Sequence, residues 1–191
     1  MKKIILDLAV TLDGFIEGPK GEIDWCVVDE DPDFEKSEFG EFLSGIDTIF
    51  YGRISYDLWG NYEPDENAGA AIKSIFASVH SKTKYVFSAT NHKSHENAIY
   101  LNSDSDLALH QQVETIKQQP GKDIWLYGGA KLITTFINLN LVDVYRLAVH
   151  PVILGSGKPL FANIAETKCL KLIRTTSWKS GVVILIYETS K

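Results

Sequence analysis

The chain has 191 residues, 45% of them apolar and 23% charged, with a formal net charge of −6, a balance that suits one compact soluble domain over residues 1–191. No run approaches about 18 uninterrupted apolar residues, which argues against a membrane-spanning helix, and Cys26 and Cys169 are too few for a disulfide framework. Residues 1–68 carry 17 Asp and Glu against 5 Lys and Arg, and the remainder carries 8 against 14; this division argues against a broad nucleic-acid surface and fits a local site for a small anion.

In chain order, KKIILDLAV reads as a first buried strand. Its lysines imitate the start of a signal peptide, but Asp7 and Asp13 break the apolar stretch, so the cytoplasm is the expected location. TLDGFIEG follows, with Asp13-Gly14 and Gly18-Pro19 as turn signals, and then an irregular loop, GPKGEIDW. Asp31-Pro32 opens an expected helix to about Ser44, with Phe34, Phe39, Phe42 and Leu43 as its apolar face. The acidic stretch at 29–41 reads mainly as solvated surface.

DTIFYG is a second buried strand that passes at Gly52 into a short helix, RISYDLWG. A helix over AGAAIKSIFASVH, the strand KYVFSAT, the short strand AIYLN and the helix DLALHQQVETIKQQ come next, ending at Pro120-Gly121. Then follow the strand IWLY and, after two glycines, a helix with Leu132, Ile133 and Phe136 at helical spacing. VDVYRLAVHPVI is a further strand, and the last two runs, KCLKLIRTTSW and GVVILIYETS, are joined too tightly for a crossover helix. The alternation predicts an α/β fold: a mostly parallel, twisted sheet with helices on both faces and a C-terminal antiparallel hairpin. The run Val182 to Ile186 is apolar on successive residues, which predicts a strand buried on both faces and, near a sheet edge, a homodimer.

In open α/β sheets, ligands gather at the carboxyl ends of strands. Three strand ends here carry small or polar residues: Gly52-Arg53-Ile54-Ser55, Ser88-Ala89-Thr90 and Gly128-Gly129-Ala130. Two of them enter a helix, where the first N–H groups are unpaired and a phosphate can approach without meeting a Cβ. The glycines alone would equally permit a tight turn; three such ends in one chain favour a cofactor phosphate. There is no G-x-G-x-x-G, and GSGKP at 155–159 lacks Walker spacing.

Other residues carry two readings. His150 ends an apolar strand and reads as a hydrogen-bonded structural residue or as a substrate contact. Trp25 beside Asp24 could stack on a flat heterocycle, as could Trp59, whereas Trp125 and Trp178 read as core. His92 and His95 lie in a polar loop with no third ligand, so no metal is expected. Cys26 has no His or basic neighbour in sequence, and Cys169 follows Lys168 but has no His beside it, so neither reads as a nucleophile.

The order of TLDGFI, DTIFYGRISYDLW, YVFSAT, IWLYGGAKL and LVDVYRLAVHPVILGSGKPLF resembles the dihydrofolate-reductase-like superfamily. More closely, it is similar to the reductase domain at the C-terminus of the bifunctional riboflavin biosynthesis protein RibD, in a stand-alone form. The resemblance spans nearly the whole chain and implies a sheet of about eight strands that binds NADPH. It implies that Ala9 and Val10 line the nicotinamide pocket and that Gly52, Arg53 and Ser55 bind phosphates. Ser88 and Ala89 would sit near the adenosine 2′-phosphate, and Gly128, Gly129, Ala130 and Lys131 would cradle the pyrophosphate. TLDGFIEG would be the loop that closes over the nicotinamide. The expected substrate is a heterocycle, a phosphoribosylated aminopyrimidine such as 5-amino-6-(5-phosphoribosylamino)uracil, with Asp24, Trp25 and His150 as substrate contacts and Lys20, Lys158 and Arg146 as candidates for its phosphate.

The chain departs from folate reductases in two places. No carboxylate aligns on the first helix, where an ungapped count falls at Lys36 with Glu35 and Asp33 nearby, and Ile133 replaces the aromatic residue after the double glycine. No H-x-E pairs with P-C-x-x-C, which excludes zinc deamination. The leading expectation is an NADPH-dependent reductase acting on a small molecule. A fold that binds NADPH without turnover, and a structural protein with a degenerate pocket, are the alternatives.

Overall fold

Branched and aromatic residues concentrate in the segments that extend as strands. The computed structural model of the chain describes residues 1–27, 37–89, 97–102 and 104–190. Its strands are β1 (Ile4–Thr11), β2 (Phe15–Glu17), β3 (Ile46–Gly52), β4 (Thr83–Ser88), β5 (Ile99–Asn102), β6 (Asp123–Gly128), β7 (Val144–His150), β8 (Lys158–Pro159), β9 (Leu170–Ser177) and β10 (Val183–Thr189). Its helices are α1 (Glu38–Ser44), α2 (Arg53–Ser55), α3 (Ala70–His80), α4 (Asp106–Lys117) and α5 (Ala130–Asn138).

Eight strands form one sheet in the order β5-β4-β3-β6-β1-β7-β10-β9. The β4–β5, β3–β4, β3–β6 and β1–β7 pairs are parallel, and β10 is antiparallel to both β7 and β9. This is the α/β class and the C-terminal antiparallel hairpin read from the sequence. β2 and β8 form a separate two-stranded ladder that the sequence did not signal. No helix among the described residues is long and apolar enough to cross a membrane.

The chain divides into two compact units, one of Met1–Lys2 with Glu30–Gly129 and the other of Lys3–Asp29 with Ala130–Lys191. In the first, Ile49, Phe50 and Tyr51 of β3, Val86 of β4 and Ile124 and Leu126 of β6 are fully buried. The expected helix start at Asp31-Pro32, with Phe34, lies outside the described residues. α1 itself is capped by Ser37, whose hydroxyl accepts from the Gly40 N–H at 3.0 Å. Its Phe39 and Phe42 both meet the Trp125 ring edge-on, at 6.0 and 5.6 Å, so the predicted apolar face and the Trp125 core position hold.

Lys2 is buried in this unit, and its ammonium donates to Asp47 Oδ1 at 2.6 Å. The Asp47 carboxylate also accepts from the Thr48 hydroxyl and from the Lys122 N–H at 2.7 Å. Burial opposes its ionisation, but these donors, Lys2 first, outweigh burial and hold the carboxyl below the ordinary value of 3.8. A carboxyl depressed in the folded state adds stability above its unfolded pKa of about 4, and that stability is lost as pH falls through the lower, folded value. The melting temperature is therefore expected to fall below about pH 4, and to fall less steeply in Asp47→Asn. Equal acid slopes for the two proteins would refute this.

In the second unit, β1 and β7 run in register from Ile5↔Val144 to Thr11↔His150. Leu132, Ile133, Phe136 and Ile137 form the buried face of α5. The run over β10 departs from expectation: Val182 and Ile184 are buried, while Val183, Leu185 and Ile186 are only half-buried. β9 lies beyond it at the sheet edge, with Leu172 and Ile173 about half exposed at 51% and 49%.

Candidate functional site

β3 and β6 are parallel neighbours in the first unit, so their carboxyl ends share one edge. Each ends in glycine, Gly52 and Gly128, and Tyr51 stands in register with Gly128. Gly128 has φ of 119°, in the left-handed region that favours glycine, and its peptide bond to Gly129 is cis. A Cβ on Gly129 would stand 2.8 Å from Ser55 Oγ. That residue is thus bare because a hydroxyl from the neighbouring strand end occupies its side-chain direction. The structure brings Gly52, Arg53 and Ser55 together with Gly128 and Gly129.

Arg53 opens α2, and its Nη1 donates to Asp57 Oδ2 at 2.7 Å, one helical turn on. The pair is roughly 40% exposed, at 39% and 44%, so the rest of the guanidinium fork still faces solvent. α2 runs on into a π-helical turn, Tyr56–Gly60. Gly60 cannot carry a side chain there, because its Cβ would fall into the Tyr56 ring. At the end of β4, Ser88 is buried and Ala89 is exposed; Thr90 lies outside the described residues.

Tyr51 lies in DTIFYG, which the sequence marks only as a buried strand. Its ring lies 4.7 Å from that of Tyr127 and 5.7 Å from that of Tyr56, and its hydroxyl is buried with no hydrogen-bond partner among the described residues. Burial, followed by the neighbouring Tyr127 and Tyr56, pushes its pKa upward, so it stays protonated. Buried hydroxyls are seldom left unpaired.

The remaining expected residues belong to the second unit. Ala9 of β1 is half-buried and sits in register with the equally half-buried Ala148 of β7; Val10, on the other face of the strand, is 4% exposed. Ala130 and Lys131 form the first turn of α5, with Lys131 exposed. His150 is 4% exposed, and its Nδ1 accepts from the Val27 N–H at 3.1 Å. Trp25 meets the imidazole edge-on at 5.4 Å, its own Nε1–H donating to the Glu22 carbonyl at 3.1 Å. Burial lowers the His150 pKa below 6.5. Asp24 is exposed; burial first, and the Asp24 charge second, push the Cys26 thiol up to about 11, which removes it as a thiolate nucleophile.

Arg146, offered above for a substrate phosphate, does not serve: it is buried and paired with Asp7 on the adjacent strand. Lys158 is paired with Glu17, while Lys20 is exposed. The segment 11–18, expected to be a closing loop, is tied down at several points. The Asp13 carboxylate accepts from the Leu154 and Gly155 amides at 3.2 and 2.7 Å, β2 pairs with β8, and the Leu160 N–H donates to the Gly14 carbonyl. Asp33, Glu35, Lys36, His92 and His95 lie outside the described residues.

The model of the RibD C-terminal domain matches residues 2–186. Uncharacterized protein YyaP of Bacillus subtilis is 52% identical over 187 residues, covering 98% of this chain and 95% of that one. A diaminohydroxyphosphoribosylaminopyrimidine deaminase/5-amino-6-(5-phosphoribosylamino)uracil reductase from Thermotoga maritima superposes with a TM-score of 0.68 at 14% identity, over 99% of this chain and 57% of that one. Dihydrofolate reductase from Enterococcus faecalis, solved with NADP(H), superposes with a TM-score of 0.64 at 16% identity, over 99% and 97%. At these identities the two structures bear on the fold, which is that of dihydrofolate reductase.

Proposed function

Because the chain belongs to the RibD C-terminal domain family, we propose that it is an NADPH-dependent reductase of a heterocyclic substrate, in the first place a phosphoribosylated aminopyrimidine. The observation that carries this reading is the pair of adjacent strand ends without side chains, Gly52 and Gly128-Gly129, flanked by the Ser55 hydroxyl and the half-exposed Arg53. Amide N–H groups, a hydroxyl and a guanidinium are the donor set that a pyrophosphate requires. In this reading Gly52, Arg53, Ser55, Gly128, Gly129, Ala130 and Lys131 hold the phosphates. Ser88 and Ala89 border the adenosine 2′-phosphate, and Ala9 and Val10 border the nicotinamide. NADPH, when bound, supplies hydride for a C=N or C=O bond. The substrate is met by Asp24, Trp25 and His150, and the whole chain acts as one reductase domain in the cytoplasm.

The test is NADPH oxidation with 5-amino-6-(5-phosphoribosylamino)uracil and, separately, dihydrofolate. Turnover of the first on the order of 1–1,000 per second, with dihydrofolate far slower and NADH bound at least about tenfold more weakly than NADPH, is expected. NADPH binding without oxidation of either mixture would instead favour a binding module.

We also propose that two copies pair through the β9–β10 edge. The half-buried Val183, Leu185 and Ile186 of β10 and the exposed Leu172 and Ile173 of β9 support it, since an apolar edge strand invites pairing unless covered. Light scattering should give twice the chain mass of 21.3 kDa at micromolar concentration; a monomer would refute the pairing.

A further inference from the structure

His150 ends β7 and Thr11 ends β1, directly opposite one another in a parallel pair. The alternation of side chains places Ala148 with His150, and Ala9 with Thr11, on one face of this part of the sheet. That face therefore carries a floor of two half-buried alanines and, beyond it, an imidazole and a hydroxyl. The hydroxyl is fully engaged: Thr11 Oγ1 donates to Asp13 at 2.6 Å and accepts from the Phe15 N–H at 2.9 Å.

The imidazole is not. Nδ1 accepts the Val27 N–H, and an acceptor nitrogen carries no proton. The neutral ring must then hold its proton on Nε2. Burial lowers the pKa of His150, which keeps it neutral near pH 7. The Trp25 edge stands against the ring. Among the described residues nothing accepts from Nε2, so this strand end holds one oriented, unspent N–H donor beside a small-residue floor.

We propose that His150 Nε2–H is the hydrogen-bond donor that recognises a ring carbonyl of the heterocyclic substrate, making His150 a specificity-determining residue that selects an acceptor over an amino group at that position. The inference rests on the reading of the protein as an aminopyrimidine reductase, and it adds the atom that reads the ring. A site built around one fixed donor rejects a ligand that presents a second donor to it, because both are then left unpaired.

Two substitutions separate the two nitrogens. The amide oxygen of His150→Asn can replace Nδ1 and keep the Val27 N–H satisfied, but no group reaches the place of Nε2. The amide nitrogen of His150→Gln reaches the place of Nε2 but leaves the Val27 N–H without its acceptor. The probes are 5,6-diaminouracil, which carries two ring carbonyls, and 2,4,5,6-tetraaminopyrimidine, which carries amino groups in their place. Both are titrated into the NADPH-saturated protein.

The wild type should bind the uracil at least about tenfold more tightly than the tetraamine. His150→Asn should lose that preference while its melting temperature and NADPH affinity stay close to wild type. His150→Gln should keep the preference and melt lower. A His150 that serves only to tie down Val27 gives the reverse pattern, with Asn harmless and Gln indiscriminate, and overturns the proposal. So does a fall in NADPH affinity in His150→Asn, which would put the donor on the cofactor. If the wild type binds NADPH but neither probe, the substrate reading itself fails and this inference with it.

Discussion

Asp7→Ala is expected to destabilise the protein by about 3–5 kcal/mol, which for a chain of this size lowers the melting temperature by roughly 6–20 °C. Asp7 and Arg146 stand opposite one another in the β1–β7 register, their side chains only 6% and 7% exposed. Removing the carboxylate withdraws a counter-charge from a buried guanidinium that cannot lose its proton. The penalty is that of a buried charge losing the carboxylate paired with it. The double variant Asp7→Ala/Arg146→Met should therefore recover most of the loss, since apolar groups of similar volume often replace a buried pair at little cost. Urea unfolding of the three proteins measures this. A single variant within about 1 kcal/mol of wild type would show that Arg146 is not confined, and would return it to the list of candidate phosphate ligands.

Gly129→Ala is expected to lower NADPH affinity by about 10- to 100-fold while the protein still folds. The sequence suggested that a phosphate needs the space above this glycine. The structure gives a closer reason: the added methyl would meet Ser55 Oγ at 2.8 Å and displace the hydroxyl. Ser55→Ala, which removes one hydrogen bond to a charged group, should lose affinity on the same scale, because such a bond contributes roughly 1.5–3 kcal/mol. If the crowding acts through Ser55, the double variant will be no worse than Ser55→Ala alone, a clear departure from additivity. The unliganded single variant should lose about 1 kcal/mol of stability to overpacking and regain it in the double. Additive losses of affinity would mean that the phosphate itself approaches Gly129.

These two residues also mark how far the sequence could be read. The strands and longer helices were legible because their signals are local. The apolar run IWLY, the spacing of Leu132, Ile133 and Phe136, and the glycine after Lys179-Ser180 each state their own conformation. β2 and β8 were not legible. They are three and two residues long, and their pairing depends on chain returning about 140 positions later, where Gly157 must lack a Cβ to clear the Glu17 carbonyl. The π-helical turn was read as ordinary helix because nothing in RISYDLWG announces that the Tyr56 ring fills the space beside Gly60.

In the candidate site, the glycines could be found and their reason could not. Ser55 belongs to a different strand end, and no spacing rule links it to Gly129. Arg146 failed as a phosphate candidate for the same cause, since charge counts do not reveal a partner 139 residues away. The His150 side chain gave two readings because its Val27 contact spans 123 residues.

The distance between β1 and β7 has a consequence for the birth of the protein. The β1–β7 ladder joins Ile5 to Val144, so one neighbour of the first strand is among the later segments to be made. At about 5–20 residues per second, roughly 7–28 s of translation separate the two strands. Through that interval IILDLAVT, with Ile4 and Leu6 destined for complete burial, has an open hydrogen-bonding edge where β7 will dock. Asp7 is the charged residue within that strand. A carboxylate in the middle of such a run opposes pairing with the same strand on a neighbouring ribosome, through like-charge repulsion, and it meets the Arg146 charge only when β7 arrives. Asp7, one half of an ion pair in the finished sheet, is thus, before the sheet exists, a guard against the wrong one.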